Sequence, residues 1–442
     1  MRFIIPLTAP ASLSLAGLLL LLPLDSVRSQ PLEVKPVASF FSPFQPHRAP
    51  TQAGLILRPG DRLAICGDSI TEQRMYSRAI ETYLTVCVPE LNLSIRQFGW
   101  SGETAAGFLA RMTNDVLRFE PTIATTWYGM NDHGYRPYEH GIGDWYRENM
   151  TAIVDAFQAH DARVVLGSPG CVGKVPTWTK SPPTTVQALN LNLCELRNIG
   201  IRIAGVEDVR FADVFWPMLK AGFSGRQQYG EDYAIAGRDG VHPGWAGSFV
   251  MAHAFLKAFG LDGQIGVFEV DLAGGRATVS RDHELEGFQD GEMRIRSVRY
   301  PFCATGDAAS DDSIRSAMTL VPFNEELNRL ILRVRNAFGM RYRVTWGEHS
   351  REYSGDALMR GINLAADFPE NPFLEAFKRV DEAVAAKQAY ETRQVKQLFH
   401  GEEGRVDMEA VVALTEKARA RHLSRIQEAF QPVVHTIRIE EE

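Results

Sequence analysis

The stretch RLAICGDSITEQ, residues 62–73, carries an apolar run that stops abruptly at Gly-Asp-Ser and continues into a polar segment compatible with a helix. An apolar run of this length, bounded by a turn, predicts a buried strand. Ser69 then lies where the strand reaches the surface. Because a helix cap is the simpler explanation for this serine taken alone, a catalytic role depends on partners elsewhere in the chain.

Further apolar stretches follow this one and alternate with segments of helical character. Strands are predicted at 62–66, 93–99, 122–129, 162–169 and 206–214, and helices at about 72–88, 104–118, 143–160 and 185–199. Apolar strands alternating with helices are typical of a parallel sheet covered on both faces. Such a sheet gathers the carboxyl ends of its strands, where ligands bind, at one edge.

The pattern changes after residue 262. Residues 267–280 predict a hairpin that turns at Gly274-Gly275, and short strand candidates continue to about residue 355. Residues 263–360 are therefore expected to form a β-rich module, either as a structural cover for the sheet or as a glycan-binding unit. Apolar residues at helical spacing predict a C-terminal helical segment over 361–442.

The N-terminus has the features of an export signal. One Arg precedes a long apolar stretch, and Val27 and Ser29 occupy the −3 and −1 positions of a cleavage site after Ser29. Residues 1–29 are therefore interpreted as a signal peptide and the protein as secreted or periplasmic, with an uncleaved membrane anchor as the alternative. Residues 30–55, rich in Pro, Ser and Gln, are expected to be a linker or arm, and no later segment is apolar enough to insert stably in a membrane.

Composition limits the remaining possibilities. The 442 residues are 45% apolar and carry a net charge of −7 without a long basic run, which argues against nucleic acid as a partner. Export would permit disulfides, but the five cysteines leave at least one thiol free. Cys171 and Cys194 are the candidate pair, and Cys66 is expected to be a small core residue.

A serine nucleophile needs a base, a group that orients the base, and hydrogen-bond donors for the oxyanion. Donors are available at two predicted strand ends. Gly102, in FGWSGETAAGF (98–108), could point its backbone N–H into a site, and Asn131, in YGMNDHGY (128–135), could offer its side-chain amide. Taken alone, both residues are better explained by ordinary turns.

The base and its partner are found in RDGVHPGW, residues 238–245. Asp239 and His242 are three residues apart on a predicted turn, where Pro243 disfavours helix at His242 and suits the first turn of the helix that follows. This spacing would hold the imidazole beside the carboxylate. A capping Asp with a surface His, or a metal site, remains the alternative, although no third ligand of matching spacing stands nearby.

Together these stretches resemble a known family. GDSIT, GWSGET, GMND and DGVHP are similar to four sequence blocks of the SGNH superfamily, also called GDSL hydrolases. Ile70 stands where the family name has Leu, and Gln97-Phe98 stand where many members carry an Asn. The resemblance implies an SGNH hydrolase domain over about 56–262, with an α/β fold built on a flavodoxin-like, doubly wound parallel sheet of about five strands.

The resemblance also implies a role for each matching residue. Ser69 would be the nucleophile, His242 its base, and Asp239 the group that orients the base. The backbone N–H groups of Ser69 and Gly102 and the side-chain amide of Asn131 would form the oxyanion hole. The chemistry is acyl transfer through an ester on the serine and requires no metal or other cofactor.

The resemblance implies an esterase, and export favours a small acyl group on a polar substrate. The expected partner is a small-molecule or polysaccharide ester, with acetylated carbohydrate preferred because Trp100, Tyr128 and Tyr135 could stack on sugar rings, whereas Trp127 within a strand is expected to be core. A lysophospholipase or arylesterase, and a non-catalytic glycan-binding protein on the same scaffold, remain alternatives. The oligomeric state is not predicted.

Overall fold

In the computed structural model of the protein, which describes residues 30–51, 53–179 and 183–442, the opening stretch lies at the centre of a parallel sheet. Its strands are β1 Arg62–Gly67, β2 Ser94–Gly99, β3 Ile123–Trp127, β4 Arg163–Gly167 and β5 Arg210–Ala212, in the order β2-β1-β3-β4-β5. All four strand pairings are parallel. The predicted five-stranded α/β sheet is confirmed, whereas the predicted signal peptide lies outside the described residues.

Helices cover both faces of this sheet. They are α1 Ser69–Glu72, α2 Tyr76–Val86, α3 Ala105–Asp115, α4 His140–Gln158, α5 Val186–Val206, α6 Phe215–Tyr229 and α7 Trp245–Ala258. Along β1, Ile65 belongs to the apolar cluster that includes α2 and α7, whereas Ala64 and Cys66 belong to the cluster that includes α3 and α4. Both faces are therefore buried, which explains why the strands are continuously apolar.

A β-rich module follows the sheet, as predicted. Its elements are β6 Gln264–Asp271, β7 Arg276–Val279, β8 His283–Gln289, β9 Glu292–Ser297, α8 Ile314–Ala317, α9 Phe323–Glu326, β10 Arg329–Arg335, β11 Tyr342–Trp346, β12 His349–Tyr353, α10 Gly355–Arg360, β13 Ile362–Asn363 and α11 Leu364–Asp367. The predicted hairpin is the antiparallel pair β6 and β7. Phe249 of α7 packs against Phe302 and Phe323 at ring distances of 5.2 and 4.6 Å, so the module shares one core with the sheet's helices.

From Leu374 onward, the C-terminal segment contains the predicted helices and one strand that was not predicted. It comprises α12 Leu374–Arg393, a π-helix Gln394–Phe399, α13 Glu402–Val406, α14 Met408–Ala429 and β14 Val433–Glu441. Residues 361–442 are therefore not entirely helical, because β14 pairs antiparallel with β9 and β11 and completes the sheet β12-β11-β14-β9-β8. His435, Ile437 and Ile439 point into the core, so burial of every second residue stabilises this strand.

The helices α12 and α14 cover β2, which is an edge strand. The carbonyl oxygen of Ile95 accepts hydrogen bonds from Lys387 Nζ at 2.6 Å and from Arg419 Nη2 at 2.8 Å. On the same strand, the Gln97 N–H donates to Glu391 Oε2 at 3.2 Å. Charged side chains thus satisfy backbone groups that an exposed edge would leave open to a strand of another chain.

The remaining expectations concern the arm and the cysteines. Phe41 and Phe44 of the arm are 1% exposed, and Phe41 packs edge-on against Trp216 of α6 at 5.6 Å, so this part of the arm packs on the domain. All five cysteines are free and buried, and the candidate bridge between Cys171 and Cys194 is not formed. Among the described residues, no helix combines the length and apolar character needed to cross a membrane.

Candidate active site

Ser69 is the first residue of the short helix α1, directly after β1. The helix cap is Asp68, whose Oδ1 accepts the Ile70 N–H at 3.0 Å. Because the neighbouring carboxylate caps the helix, the capping role considered for the serine is already filled. The Ser69 hydroxyl is half-buried and free to make a different contact.

The structure brings the three predicted catalytic side chains into one hydrogen-bonded row. Ser69 Oγ lies 2.7 Å from His242 Nε2, and His242 Nδ1 lies 2.7 Å from Asp239 Oδ2. With the Nδ1 proton donated to the carboxylate, Nε2 carries the lone pair that accepts the serine proton. The arrangement can therefore activate the hydroxyl as a nucleophile.

The loop that carries the histidine is fixed by the same carboxylate. Asp239 Oδ1 accepts the backbone N–H groups of Val241 and His242, both at 2.9 Å. Partial burial acts to raise the pKa of Asp239, but these N–H donors and the imidazole outweigh it and hold the pKa below its usual range. The carboxylate is therefore ionised near neutral pH, as orienting an imidazole requires.

Gly102 occupies the tip of the loop after β2. Its φ of +74° lies in the left-handed region that favours glycine, and a Cβ placed there would meet no atom within 4 Å. Backbone conformation, rather than crowding, is therefore the reason for glycine at this position. Among the described residues, neither the Gly102 N–H nor the Ser69 N–H has a hydrogen-bond acceptor, so both remain available to a ligand.

Asn131 lies between the loop of Ser69 and the loop of Gly102. Its Nδ2 donates to the carbonyl oxygen of Glu103 at 2.9 Å and faces Asp68 Oδ2 at 3.4 Å. The first contact is a normal hydrogen bond and the second a weak one. One N–H therefore orients the amide, while the other is open to a stronger acceptor such as an oxyanion.

Buried charged residues adjoin the loops that carry Gly102 and Asn131. Glu103 forms a two-point ion pair with Arg111, at 2.6 Å to Nε and 2.7 Å to Nη2, and also accepts the Tyr128 hydroxyl at 3.0 Å. Burial raises the pKa of Asp68 well above its usual range and that of Asp132 to about 6. Asp132 uses its two oxygens to accept the N–H groups of Ala105 and Gly129, which fixes the backbone on both sides of the site.

The predicted substrate contact of Tyr128 is wrong. This residue directly follows Trp127, the last residue of β3, and the two side chains are fully buried in the apolar clusters on opposite faces of the sheet. Tyr128 stacks on Phe108 at 5.2 Å. The prediction that Trp127 is a core residue is confirmed.

Trp100 is half-buried and already covered by other groups. Its ring lies 4.8 Å from the His400 ring, 5.2 Å from Lys396 Nζ and 5.1 Å from the Arg111 guanidinium. Two of these neighbours belong to the C-terminal segment. The structure thus uses Trp100 to attach that segment to the oxyanion loop, and the predicted free stacking surface is not present.

Tyr135, the third predicted aromatic contact, does lie at the site. Its hydroxyl donates a long hydrogen bond of 3.4 Å to Asn131 Oδ1. Trp178, which the sequence analysis missed, lies beside it, with ring distances of 6.4 Å to Tyr135 and 5.8 Å to His242. Trp178 is 49% exposed, so its ring borders His242 on the solvent side.

The described residues contain no group of three or more His, Cys, Asp or Glu side chains arranged to hold a metal ion. The serine, imidazole, carboxylate and amide groups described above lie together at the candidate site. These groups are the ones that acyl transfer requires.

Comparison with known proteins identifies the domain. Residues 65–248 match the model of the GDSL-like lipase/acylhydrolase family. This part of the chain is a GDSL-like hydrolase domain. An acylhydrolase domain of this kind makes the protein a carboxylic ester hydrolase, and the SGNH resemblance of its sequence is confirmed.

One of the solved structures that resemble the chain matches most of its length. A gut microbial diltiazem-metabolizing enzyme matches with a TM-score of 0.69 and 20% identity, covering 89% of this chain and all (100%) of that one. At this identity the likeness establishes the fold, which extends beyond the GDSL-like domain.

Two shorter structures match part of the chain. An acetylxylan esterase from Geobacillus stearothermophilus is 21% identical with a TM-score of 0.37, covering 46% of this chain and 96% of that one. A hydrolase from the metagenome of Lake Arreo, Spain, is 22% identical with a TM-score of 0.37, covering 47% and 98%. No curated protein matches the chain by sequence.

Proposed function

We propose that the protein hydrolyses carboxylic esters through an acyl-enzyme on Ser69. The observation that carries this proposal is the hydrogen-bonded row from Ser69 Oγ through His242 to Asp239, with both contacts at 2.7 Å. A binding protein on the same scaffold would have no use for a serine whose proton already faces a base. The assembled row therefore favours the enzyme over the non-catalytic alternative.

The reaction follows from these positions in two steps. Ser69 Oγ attacks the carbonyl carbon while its proton moves to His242 Nε2, and Asp239 stabilises the imidazolium. The N–H groups of Ser69 and Gly102 and the amide of Asn131 stabilise the negative oxygen of the tetrahedral intermediate. The alkoxide leaves with the proton from His242, and water then repeats the attack on the serine ester.

We further propose that the ester is a small acyl group, such as acetyl, on a carbohydrate. Trp178 and Tyr135 support this, because aromatic rings present a flat apolar surface together with a polar edge beside the catalytic histidine. The polar side chains of Asn131 and Asp239 lie near the serine and would make poor contacts with a long alkyl chain. A lysophospholipase would instead need an apolar surface beside the nucleophile.

The first test is Ser69→Ala, compared with the parent enzyme on p-nitrophenyl acetate. We expect turnover to fall on the order of 10⁴-fold or more, because the nucleophile is removed. Ser424→Ala is the matched control, since Ser424 is exposed on α14 and hydrogen-bonds only within its own helix. Equal activity of parent and Ser69→Ala would refute the acyl-enzyme.

Substrate class is tested separately. A series of p-nitrophenyl esters should show faster hydrolysis of acetyl than of octanoyl or longer chains, and acetylated polysaccharides should release acetate. A preference for eight carbons or more would instead indicate the lysophospholipase alternative. Acetate release only from p-nitrophenyl esters, and from no polysaccharide, would favour an arylesterase.

Export remains a proposal that rests on residues 1–29, which the structure does not describe. Expression of the full sequence in a bacterium with intact mass measurement should yield a periplasmic or extracellular protein that begins at Gln30. A cytoplasmic protein that retains residues 1–29 would contradict this proposal.

A further inference from the structure

The loop that carries Gly102 is attached on one side to the helix of the nucleophile. Glu72, the last residue of α1, accepts the Ser101 N–H on Oε2 at 2.5 Å. The preceding residue, Trp100, donates its N–H to the carbonyl oxygen of Gly67 at 3.0 Å. A Cβ on Gly99 would lie 2.2 Å from the Glu72 backbone nitrogen, so the two elements are in direct contact.

The Glu72 carboxylate is itself held by the C-terminal segment. Lys396 Nζ, on the π-helix, lies 2.8 Å from both carboxylate oxygens. Partial burial acts to raise the pKa of Glu72, but the hydrogen bonds from Lys396 and from Ser101 outweigh it and lower the pKa below the usual range. The carboxylate therefore remains an ionised acceptor for the loop.

A second contact joins the same two parts of the molecule. Trp100 lies under Lys396 and against His400, so its ring and the Ser101 amide are both held from the C-terminal segment. Gly102 directly follows these two anchored residues in sequence, and it has a left-handed backbone with no side chain to hold it. The anchors thus act at the point where the loop is least restrained by itself.

We propose that Glu72 is a positioning residue for the oxyanion hole, and that Lys396 of the C-terminal segment acts through it. The Ser101 amide is fixed by the carboxylate, and this sets the direction of the adjacent Gly102 N–H toward the carbonyl oxygen of the substrate. The inference rests on the proposed function of the site. An amide must lie about 2.7–3.1 Å from the oxyanion to stabilise it, and a displacement of about 1 Å can cost about 100-fold in rate.

The experiment compares Glu72→Ala, Lys396→Met, their combination and a matched control. The control is Asp381→Asn, because Asp381 also joins the C-terminal segment to the sheet's helices, through Arg78 and Thr82 on α2, without touching the oxyanion loop. Steady-state kcat and KM are measured on p-nitrophenyl acetate, and thermal unfolding is measured for each variant.

We expect Glu72→Ala to lower kcat about 10- to 100-fold while KM changes less than about threefold, because oxyanion stabilisation acts on the transition state. Lys396→Met should show a smaller loss, because its apolar chain can still cover Trp100, and the combined variant should therefore equal Glu72→Ala. Asp381→Asn should keep the parent kcat even if its melting temperature falls. An unchanged kcat in Glu72→Ala, or an equal loss in the control, would overturn the positioning role. Losses that multiply in the combined variant would overturn the route through Glu72.

A second readout separates this inference from the choice of substrate. A fluorophosphonate reacts when Ser69 Oγ attacks phosphorus, the P–F bond breaks, fluoride leaves and the serine proton passes to His242, while the phosphoryl oxygen occupies the oxyanion hole. The labelling rate of Glu72→Ala should fall in parallel with kcat. If Ser69→Ala retains activity, the proposed function fails, whereas parent-like labelling of Glu72→Ala with an inactive Ser69→Ala contradicts only the inference.

Discussion

Two serines in the described part of the chain, Ser69 and Ser297, make hydrogen bonds of similar length to histidine, and their surroundings differ. In the GDSL-like domain, Ser69 Oγ lies 2.7 Å from His242 Nε2. In the β-rich module, Ser297 Oγ lies 2.7 Å from His283 Nδ1 and 3.0 Å from His435 Nε2. The first serine is half-buried at the edge of a sheet, whereas Ser297 is fully buried within one.

The hydrogen bonds of the buried network have one consistent direction. Trp346 donates its indole N–H to His435 Nδ1 at 3.1 Å, so His435 carries its own proton on Nε2 and donates it to Ser297. Ser297 then donates to His283, whose Nε2 proton goes to the carbonyl oxygen of Ile265 at 3.1 Å. Both imidazoles are neutral in this arrangement, and burial lowers the pKa of His435 to about 3.

This difference shows that a serine–histidine distance does not by itself indicate catalysis. At the candidate active site an ionised carboxylate holds the imidazole and the hydroxyl is accessible. In the β-rich module an indole and a carbonyl hold the imidazoles, and a positive charge on either ring would disrupt the row. The first arrangement can accept a proton from serine, whereas the second stabilises packing between β8, β9, β11 and β14.

The strongest test of this comparison removes one histidine from each network. His242→Ala should lower kcat/KM on the order of 10⁴-fold without a large change in melting temperature, because the base is lost from a partly exposed position. His435→Ala should destabilise the protein by about 2–4 kcal/mol, since it leaves a cavity and a buried Trp346 indole N–H without an acceptor. Activity assays below the unfolding temperature and denaturant titrations would measure both effects. Loss of stability in His242→Ala with normal turnover would contradict the assignment.

The buried network should also make the protein less stable in acid. His435 is neutral when folded, with a pKa of about 3 against an unfolded value of 6.5, so the unfolded chain binds more protons between these values. Stability is therefore complete above about pH 6.5 and declines as the pH falls toward 3, with about 2 kcal/mol lost between pH 7 and pH 5 from this residue.

Denaturant titrations at several pH values would measure this decline. His283, whose pKa is also lowered by burial and which has Arg299 and Asp282 as charged neighbours, should add to it. His435→Gln is the comparison variant, because it removes one titrating group and should show a shallower dependence on pH. The same slope in parent and variant from pH 7 to pH 5 would show that His435 does not contribute.

The smallest effects concern the aromatic residues. Tyr128→Phe should leave KM within about twofold of the parent and lower stability by about 1–2 kcal/mol, because the buried Glu103 loses a hydrogen-bond donor. Trp178→Ala should instead raise KM for a carbohydrate ester several-fold without changing stability, because this ring is exposed. Steady-state kinetics and thermal unfolding of both variants would measure these changes in KM and in stability. A raised KM in Tyr128→Phe would contradict its placement in the core.

Much of the site was predictable because parallel strands bring their carboxyl ends together. Ser69, Gly102 and Asn131 follow three such strands, so their positions along the chain were sufficient to place them at one edge. The substrate contacts were less predictable. Tyr128 follows the end of β3 in the same way but is buried by α3 and α4, and nothing in its local sequence indicates which face of the sheet is open.

The missing strand and the missed tryptophan have other physical causes. The segment 433–441 has the alternation of a strand, but its partners lie near residues 295 and 344, and local pattern does not indicate such distant pairing. Trp178 lies on a loop without periodicity, where exposure depends on tertiary structure. Local sequence patterns therefore do not predict contacts between remote segments, such as the one between Lys396 and Glu72.

The position of β14 has a consequence for the order of folding. Its two neighbours in the sheet, Glu292–Ser297 and Tyr342–Trp346, are synthesised long before Val433–Glu441. During synthesis on the ribosome, one edge of each of these two strands remains unpaired until β14 inserts between them. Because closing such a long loop is slow, we expect this sheet to form last and to be the region where chaperones protect the nascent chain.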